Sequence, residues 1–212
     1  MSFDLAFSIK VFSALFAIMN PVANVPVFLS LTSGASVAER RKVAVTALIT
    51  VSIGCVVAAV AGSSILGAFG VSINDFRLAG GLLVLLIALS MLHGSASSQQ
   101  APTAKENKDR DATDSVAIYP LAIPLLLGPG SIATMIVLGH TAFDTGKELA
   151  FTVGLAGFLL LLAVSMLSAP FIGHYLSPRV TAITQRLMGM ILAAIAVNMM
   201  MTSLRASLPG LT

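Results

Sequence analysis

Six stretches of the chain, 5–31, 43–66, 76–92, 116–139, 149–172 and 183–204, are predominantly apolar, and each is about as long as a bilayer requires. In lipid every backbone N–H and C=O must be paired within the chain, so such stretches can only be helices or strands of a closed barrel. The alternating pattern of a barrel strand is absent. The expected fold is therefore an all-α membrane protein. Charged residues make up 10% of the sequence, against about 25% in a soluble domain. The net charge of +3 reads as asymmetry between loops and gives no reason to expect nucleic acid as a partner. The start, MSFDLAFSIKVF, has no basic stretch ahead of its apolar run and reads as the first span, not as a removed leader. Cys55 stands alone in an apolar run, which excludes a disulfide framework.

Residues 95–114, SASSQQAPTAKENKDRDATD, carry four of the nine acidic residues and form the one polar linker. They divide the chain into 1–94, a loop over 95–115, and 116–212, with three spans in each half. The halves resemble each other. Arg77-Leu78 aligns with Arg186-Leu187, and Gly80 with Gly189, at a constant offset of 109 residues. Two three-span repeats must insert with opposite orientation, so the expected architecture is six transmembrane helices as two inverted three-helix repeats. The side reached after span one carries Arg40, Arg41, Lys42, Lys105, Lys108, Arg110 and Arg179, and is expected to be cytoplasmic, with both termini outside.

Spans one and four contain residues that a simple crossing helix avoids. The first reads AIMNPVANVPV over 17–27, the second PLAIPLLLGPGSIATM over 120–135. Proline has no N–H to donate and its ring clashes with the preceding turn, but it is favoured at the first position of a helix. Asn20 before Pro21 and Gly128 before Pro129 thus read as N-caps of second half-helices, and both spans are expected to break in mid-membrane. A break survives in lipid only where protein, water or ligand covers its stranded groups. Free N–H groups of the downstream halves favour a carboxylate, and free C=O groups of the upstream halves favour an ammonium or a cation. A small zwitterion matches both. The candidate binding residues are Asn20, Pro21, Asn24, Gly128, Pro129, Gly130, Ser131 and Thr134, with Arg77 and Arg186 as charge partners of a substrate carboxylate or of Asp75. Asn198 is equally suited to helix–helix contact, and Ser63 with Gly67 to close packing. No acidic residue falls in the middle of a span; His93, His140 and His174 lie near span ends and name no proton carrier. No nucleotide-binding, hydrolase or metal motif is present, so no enzyme, cofactor or metal is expected.

The segments NPVANVPVFL (20–29), FGVSINDFRLAGGLLV (69–84), YPLAIPLLLGPGSIA (119–133) and RLMGMIL (186–192) together resemble the MarC family of bacterial inner-membrane proteins, over nearly the full length. That resemblance implies six spans and a relation to neutral amino-acid transporters of the SnatA type, whose two broken helices form the substrate site. Ala23 and Leu127 stand where the resemblance implies smaller residues, which would narrow the pocket. The expectation is a secondary transporter of glycine- or alanine-like substrates in the inner membrane, with H+ or Na+ as coupling ion and alternating access about a midplane site. A channel for a small solute or ion, and a non-transporting partner or regulator, are the alternatives these residues leave open.

Overall fold

The computed structural model describes residues 3–93, 116–172 and 177–208; the loop over 95–115, with its basic residues, and His174 lie outside them. The described residues form eight helical segments and no strand. They are α1 (Leu5–Met19), α2 (Pro21–Leu31), α3 (Val37–Ala68), α4 (Ile73–Leu92), α5 (Ala117–Leu126), α6 (Pro129–Asp144), α7 (Glu148–Ile172) and α8 (Pro178–Ser207).

The starts follow local chemistry. Asp4 Oδ1 accepts from Phe7 N–H at 2.9 Å and caps α1. Ser36 and Glu39 form a reciprocal capping box, in which Ser36 N–H donates to Glu39 Oε2 at 2.7 Å. That box starts α3 at Val37, ahead of the predicted 43. Ser177 with Pro178 likewise starts α8 ahead of the predicted 183. By length and composition α3, α4, α7 and α8 can each cross a membrane, and α1 with α2, bent by 41°, counts as a fifth candidate. The sequence predicts six. The fourth predicted span does not qualify on its own terms, because its two pieces, α5 and α6, have only 10 and 16 residues. The outer faces suit lipid: α3 exposes Ile49, Ile53, Val56 and Val60 along one side.

The helices pair across the two halves. α4 lies along α8, α1 and α2 pack on α7, and α5 and α6 pack on α3. Glycines bring the backbones together. A methyl at Gly81 would come 3.1 Å from Ala196 O, and one at Gly189 would come 3.1 Å from Ala88 O, a reciprocal contact between α4 and α8. A methyl at Gly154 would meet Ser8 O at 2.5 Å, and one at Gly139 would meet Ala59 O at 2.6 Å. Gly67, read from its spacing as a packing residue, has open space around it and packs against no other described helix. An ion pair between Lys147 Nζ and Asp4 Oδ2, 2.9 Å, ties the start of α1 to the loop before α7.

Candidate functional site

The first break is one residue wide. Asn20 closes α1 by donating its N–H to Phe16 O at 3.0 Å, then turns the chain through a left-handed conformation (φ 33°, ψ 75°). It is the one non-glycine residue with positive φ among those described. Asparagine tolerates this conformation better than most residues. Pro21 removes the donor that Ala17 O would otherwise receive, which ends α1. Asn20 Oδ1 accepts from Ala23 N–H at 3.3 Å, so the same side chain caps α2. Asn24 Nδ2 reaches back across the break and donates to Met19 O at 2.5 Å.

The second break is built differently. Tyr119 and Ile123, each directly before a proline, hold extended dihedrals (φ near −130° and −125°) inside α5. Proline's ring disfavours the helical region for the residue before it, so α5 winds in wide turns. Leu127 N–H donates to Ala122 O at 2.8 Å, Gly128 is extended, and Pro129 opens α6. No side chain caps α6. Its first N–H groups, those of Gly130 and Ser131, precede the intrahelical ladder, which begins with Ile132 N–H donating to Gly128 O at 3.0 Å. Ser131 Oγ donates to Leu126 O at 2.9 Å. Both breaks therefore carry the same stitch, a side chain five residues on that donates to the last carbonyl before the break. The asymmetry lies in the cap: α2's N-terminus is satisfied by Asn20, and α6's is open.

The breaks adjoin. A methyl at Gly130 would lie 2.9 Å from Ile18 Cδ1 and 2.7 Å from Ile87 Cδ1, so the notch in α6 faces the end of α1 and is filled by these two side chains. Beside it, a cavity of about 960 Å³ opens between α1, α4, α6 and α8. Of the predicted binding residues, Thr134 lines this cavity; Asn20, Pro21, Asn24, Gly128, Pro129, Gly130 and Ser131 stay at the breaks beneath it. Arg77 lines the cavity, whereas Arg186, its counterpart in the repeat, is exposed elsewhere on α8. Asp75 is held by Ser72, whose Oγ donates to Asp75 Oδ2 at 2.6 Å. Leu127 does not line this cavity: its side chain lies over Gly54 of α3.

Sequence reasoning passed over Asn74 and Thr141 as lining residues, read His140 as a span-end histidine, and left Asn198 ambiguous. A signal was available. Thr134 and Thr141 are seven residues apart on α6, and Asn198 and Thr202 four apart on α8, the spacing of one polar helix face. Four buried side-chain atoms have no hydrogen-bond partner among the described residues: Thr134 Oγ1 and Arg77 Nε on residues that line this cavity, Asn20 Nδ2 at the first break, and Thr181 Oγ1 near the start of α8. Buried polar atoms are almost always paired, so the two at the cavity call for a ligand or water.

The model for MarC family integral membrane proteins matches residues 5–208. The chain is 35% identical over 209 residues to the UPF0056 membrane protein YhcE of Escherichia coli, across 99% of this chain and 97% of that protein. It is 34% identical over 207 residues to the UPF0056 membrane protein YvbG of Bacillus subtilis, across 98% of each. A UPF0056 membrane protein of Methanocaldococcus jannaschii is 36% identical over 205 residues, across 97% of this chain and 99% of that one. No solved structure matches the chain.

Proposed function

The chain belongs to the MarC family of multi-pass integral membrane proteins, and from the geometry of its two breaks we propose that it is a secondary transporter of small neutral amino acids such as glycine and alanine. The observation that carries this reading is the buried, unpaired hydroxyl of Thr134, which lines the cavity one turn beyond the uncapped N-terminus of α6. An open helix N-terminus favours a carboxylate. Met19 O and Leu126 O each keep a second lone pair after accepting from Asn24 and Ser131, and these suit an ammonium. Around the notch stand Ile18, Ile87 and Val84, which favour a small apolar side chain on the substrate.

Alternating access is the transport mode that fits this arrangement. With α1–α2 and α5–α6 each taken as one span, six spans result. The cavity then lies between the middle of α1, the start of α4 and the middle-to-C-terminal parts of α6 and α8. The ends of these four helices that border the cavity reach the face that carries the chain termini, expected to be periplasmic in a bacterial inner membrane. The exchange of partners between halves, α1 and α2 on α7 and α5 and α6 on α3, supports two inverted repeats, as does the reciprocal contact of Gly81 and Gly189. Transport would be coupled to H+ or Na+.

Equilibrium binding of radiolabelled glycine and alanine to the purified protein in detergent tests the reading. Saturable binding is expected. Thr134→Val, which removes only the hydroxyl, should weaken it by about 3- to 10-fold, the worth of one hydrogen bond. A well-folded wild type that binds neither amino acid would refute the reading. Counterflow into proteoliposomes separates a carrier from a channel, since only a carrier accumulates label against preloaded unlabelled glycine.

A further inference from the structure

Arg77 sits on a membrane-crossing helix, and Asp75, the acid nearest to it in sequence, is engaged by Ser72 instead. An arginine near the end of such a helix ordinarily extends its head to the interface, where all its donors meet water. Arg77 does not do so fully: its Nε is buried and unpaired among the described residues, while the side chain lines the cavity. Its depth follows from packing. A methyl at Gly80 would lie 2.9 Å from Ala133 Cβ, so α4 and α6 cross there. Arg77 is three residues, ~4.5 Å, toward the cavity mouth along α4, and Thr134 one residue, ~1.5 Å, along α6. Both groups therefore belong to the cavity floor. Thr134 is 3% exposed and its hydroxyl is unpaired. Asn74 and Asn198 line the same space. The fixed charges there are Lys10 and Arg77 against Asp144, which is ten residues, ~15 Å, farther out on α6 than Thr134. The notch at Gly130, by contrast, is filled by Ile18 and Ile87. A solute entering this cavity meets Arg77 before it meets a helix break.

We propose that the floor of this cavity is a carboxylate-capture station ahead of the helix breaks, with Arg77 as its specificity-determining residue. A carboxylate docked side-on would take Nε and one terminal N–H of the guanidinium together, which satisfies the orphan donor, and Thr134 Oγ would donate to the same group. The site selects small solutes that carry a carboxylate and passes over isosteric neutral ones. This inference rests on the transport reading above and adds to it an outer binding position that shares Thr134 with the inner one and depends in addition on Arg77.

The test is direct binding of radiolabelled glycine and of radiolabelled glycinamide, which keeps the ammonium and replaces the carboxylate by an amide, to the full-length wild type, Arg77→Gln and Arg77→Lys. Wild type should prefer glycine. Arg77→Gln should weaken glycine about 10- to 100-fold, the range of a charge-assisted hydrogen bond, and leave glycinamide within about 2-fold. Arg77→Lys keeps the charge without the planar fork, and its glycine preference should fall between the two. A merely structural arginine would move both ligands together. Arg77→Gln or Arg77→Lys retaining the full wild-type preference for glycine would overturn the inference and leave the transport reading standing. A wild type that binds both ligands equally would overturn the inference and, with it, the carboxylate role given to the N-terminus of α6. A folded wild type that binds neither would refute the transport reading, and this inference with it.

Discussion

Replacing Asn20 by alanine and by glycine separates what this residue does for the fold from what it does for a ligand. Its backbone is left-handed, at φ 33°, and its Oδ1 caps α2 through Ala23 N–H. Alanine loses the cap and must hold the left-handed conformation, which costs about 1–2 kcal/mol for a residue with a Cβ. Glycine also loses the cap oxygen, but it adopts the conformation freely and is the better N-cap of the two by roughly 0.5–1 kcal/mol. Against this, glycine's extra freedom in the unfolded chain costs about 0.5–1 kcal/mol. The net expectation is that Asn20→Ala is less stable than Asn20→Gly by about 1–2 kcal/mol. For a chain of this size that is roughly 2–8 °C in melting temperature. Both variants remove the unpaired Nδ2, so that group cancels from the comparison. The assay is thermal unfolding in one detergent, followed by circular dichroism. Equal melting of the two variants, or a more stable alanine variant, would refute the left-handed hinge at Asn20. Glycine binding, measured on the same samples, should be weakened in both and should not follow their stability. Asn20→Ala alone would confuse a lost ligand contact with a strained hinge.

A methyl at Gly139 would meet Ala59 O at 2.6 Å and Ala59 Cα at 2.8 Å, backbone atoms that cannot move aside, whereas Gly67 has open space. Gly139→Ala should lose about 1–3 kcal/mol by overpacking α3 against α6, and Gly67→Ala should gain roughly 0.5–1 kcal/mol of helix stability; a Gly139→Ala protein melting at or above Gly67→Ala would contradict the packing described. At Gly130 the nearest atoms are the ends of Ile87 and Ile18, which can shift, so Gly130→Ala should insert and fold normally. Gly130→Leu must displace both and should abolish glycine binding, and unaltered affinity in a folded Leu variant would argue against the notch as the inner site. The Lys147 ammonium beside Asp4 holds that carboxyl below its ordinary value of 3.8. A depressed folded-state value means the pair contributes stability above pH 3.8 and loses it as pH falls through the lower folded value. Thermal scans of Asp4→Asn against wild type should therefore differ slightly at pH 6 and converge in the acid range; a gap that widened on acidification would reverse the sign.

The helix breaks were legible because they are local. A proline without a donor and an asparagine or glycine before it act within a few positions of the chain; the extended Tyr119 and Ile123 ahead of Pro120 and Pro124 were not read from the sequence, although proline's restriction of the residue before it predicts them. The same locality set the capped starts of α3 and α8, although the capping residues lie outside the apolar run and the predicted boundaries came late. The cavity was not legible in this way. It is a relation among four helices from both halves, and a polar residue on any one of them, such as Asn198, reads equally well as helix–helix contact until its neighbours are known. Asn24 and Ser131 show the converse. Each lies at a break, but the donor expected to meet a substrate is already spent on a backbone carbonyl across the gap. Among the predicted binding residues the groups left unpaired are Asn20 Nδ2 at the break and Thr134 Oγ1 one turn farther on.

Arg77 and Arg186 set the limit on what an internal repeat can say. Their sequence environments align residue for residue, which predicts equivalent roles. Yet Arg77 lines the cavity with a buried, unpaired donor, and Arg186 is exposed. The helices that flank them explain the difference. On the Arg77 side the cavity draws Thr134, His140 and Thr141 from α6 and Asn198 and Thr202 from α8. Carried through the repeat at offsets of 108 and 109, Thr134 and Asn198 fall on Pro26 and Leu89, whereas His140, Thr141 and Thr202 fall on the polar Thr32, Ser33 and His93. The first two counterparts offer no side-chain donor. A repeat conserves the backbone device, here a proline-opened half-helix in each half, because proline and glycine act on their own chain. It does not fix the chemistry of a cavity, which depends on side chains contributed from both halves, and the two halves differ where they line this one.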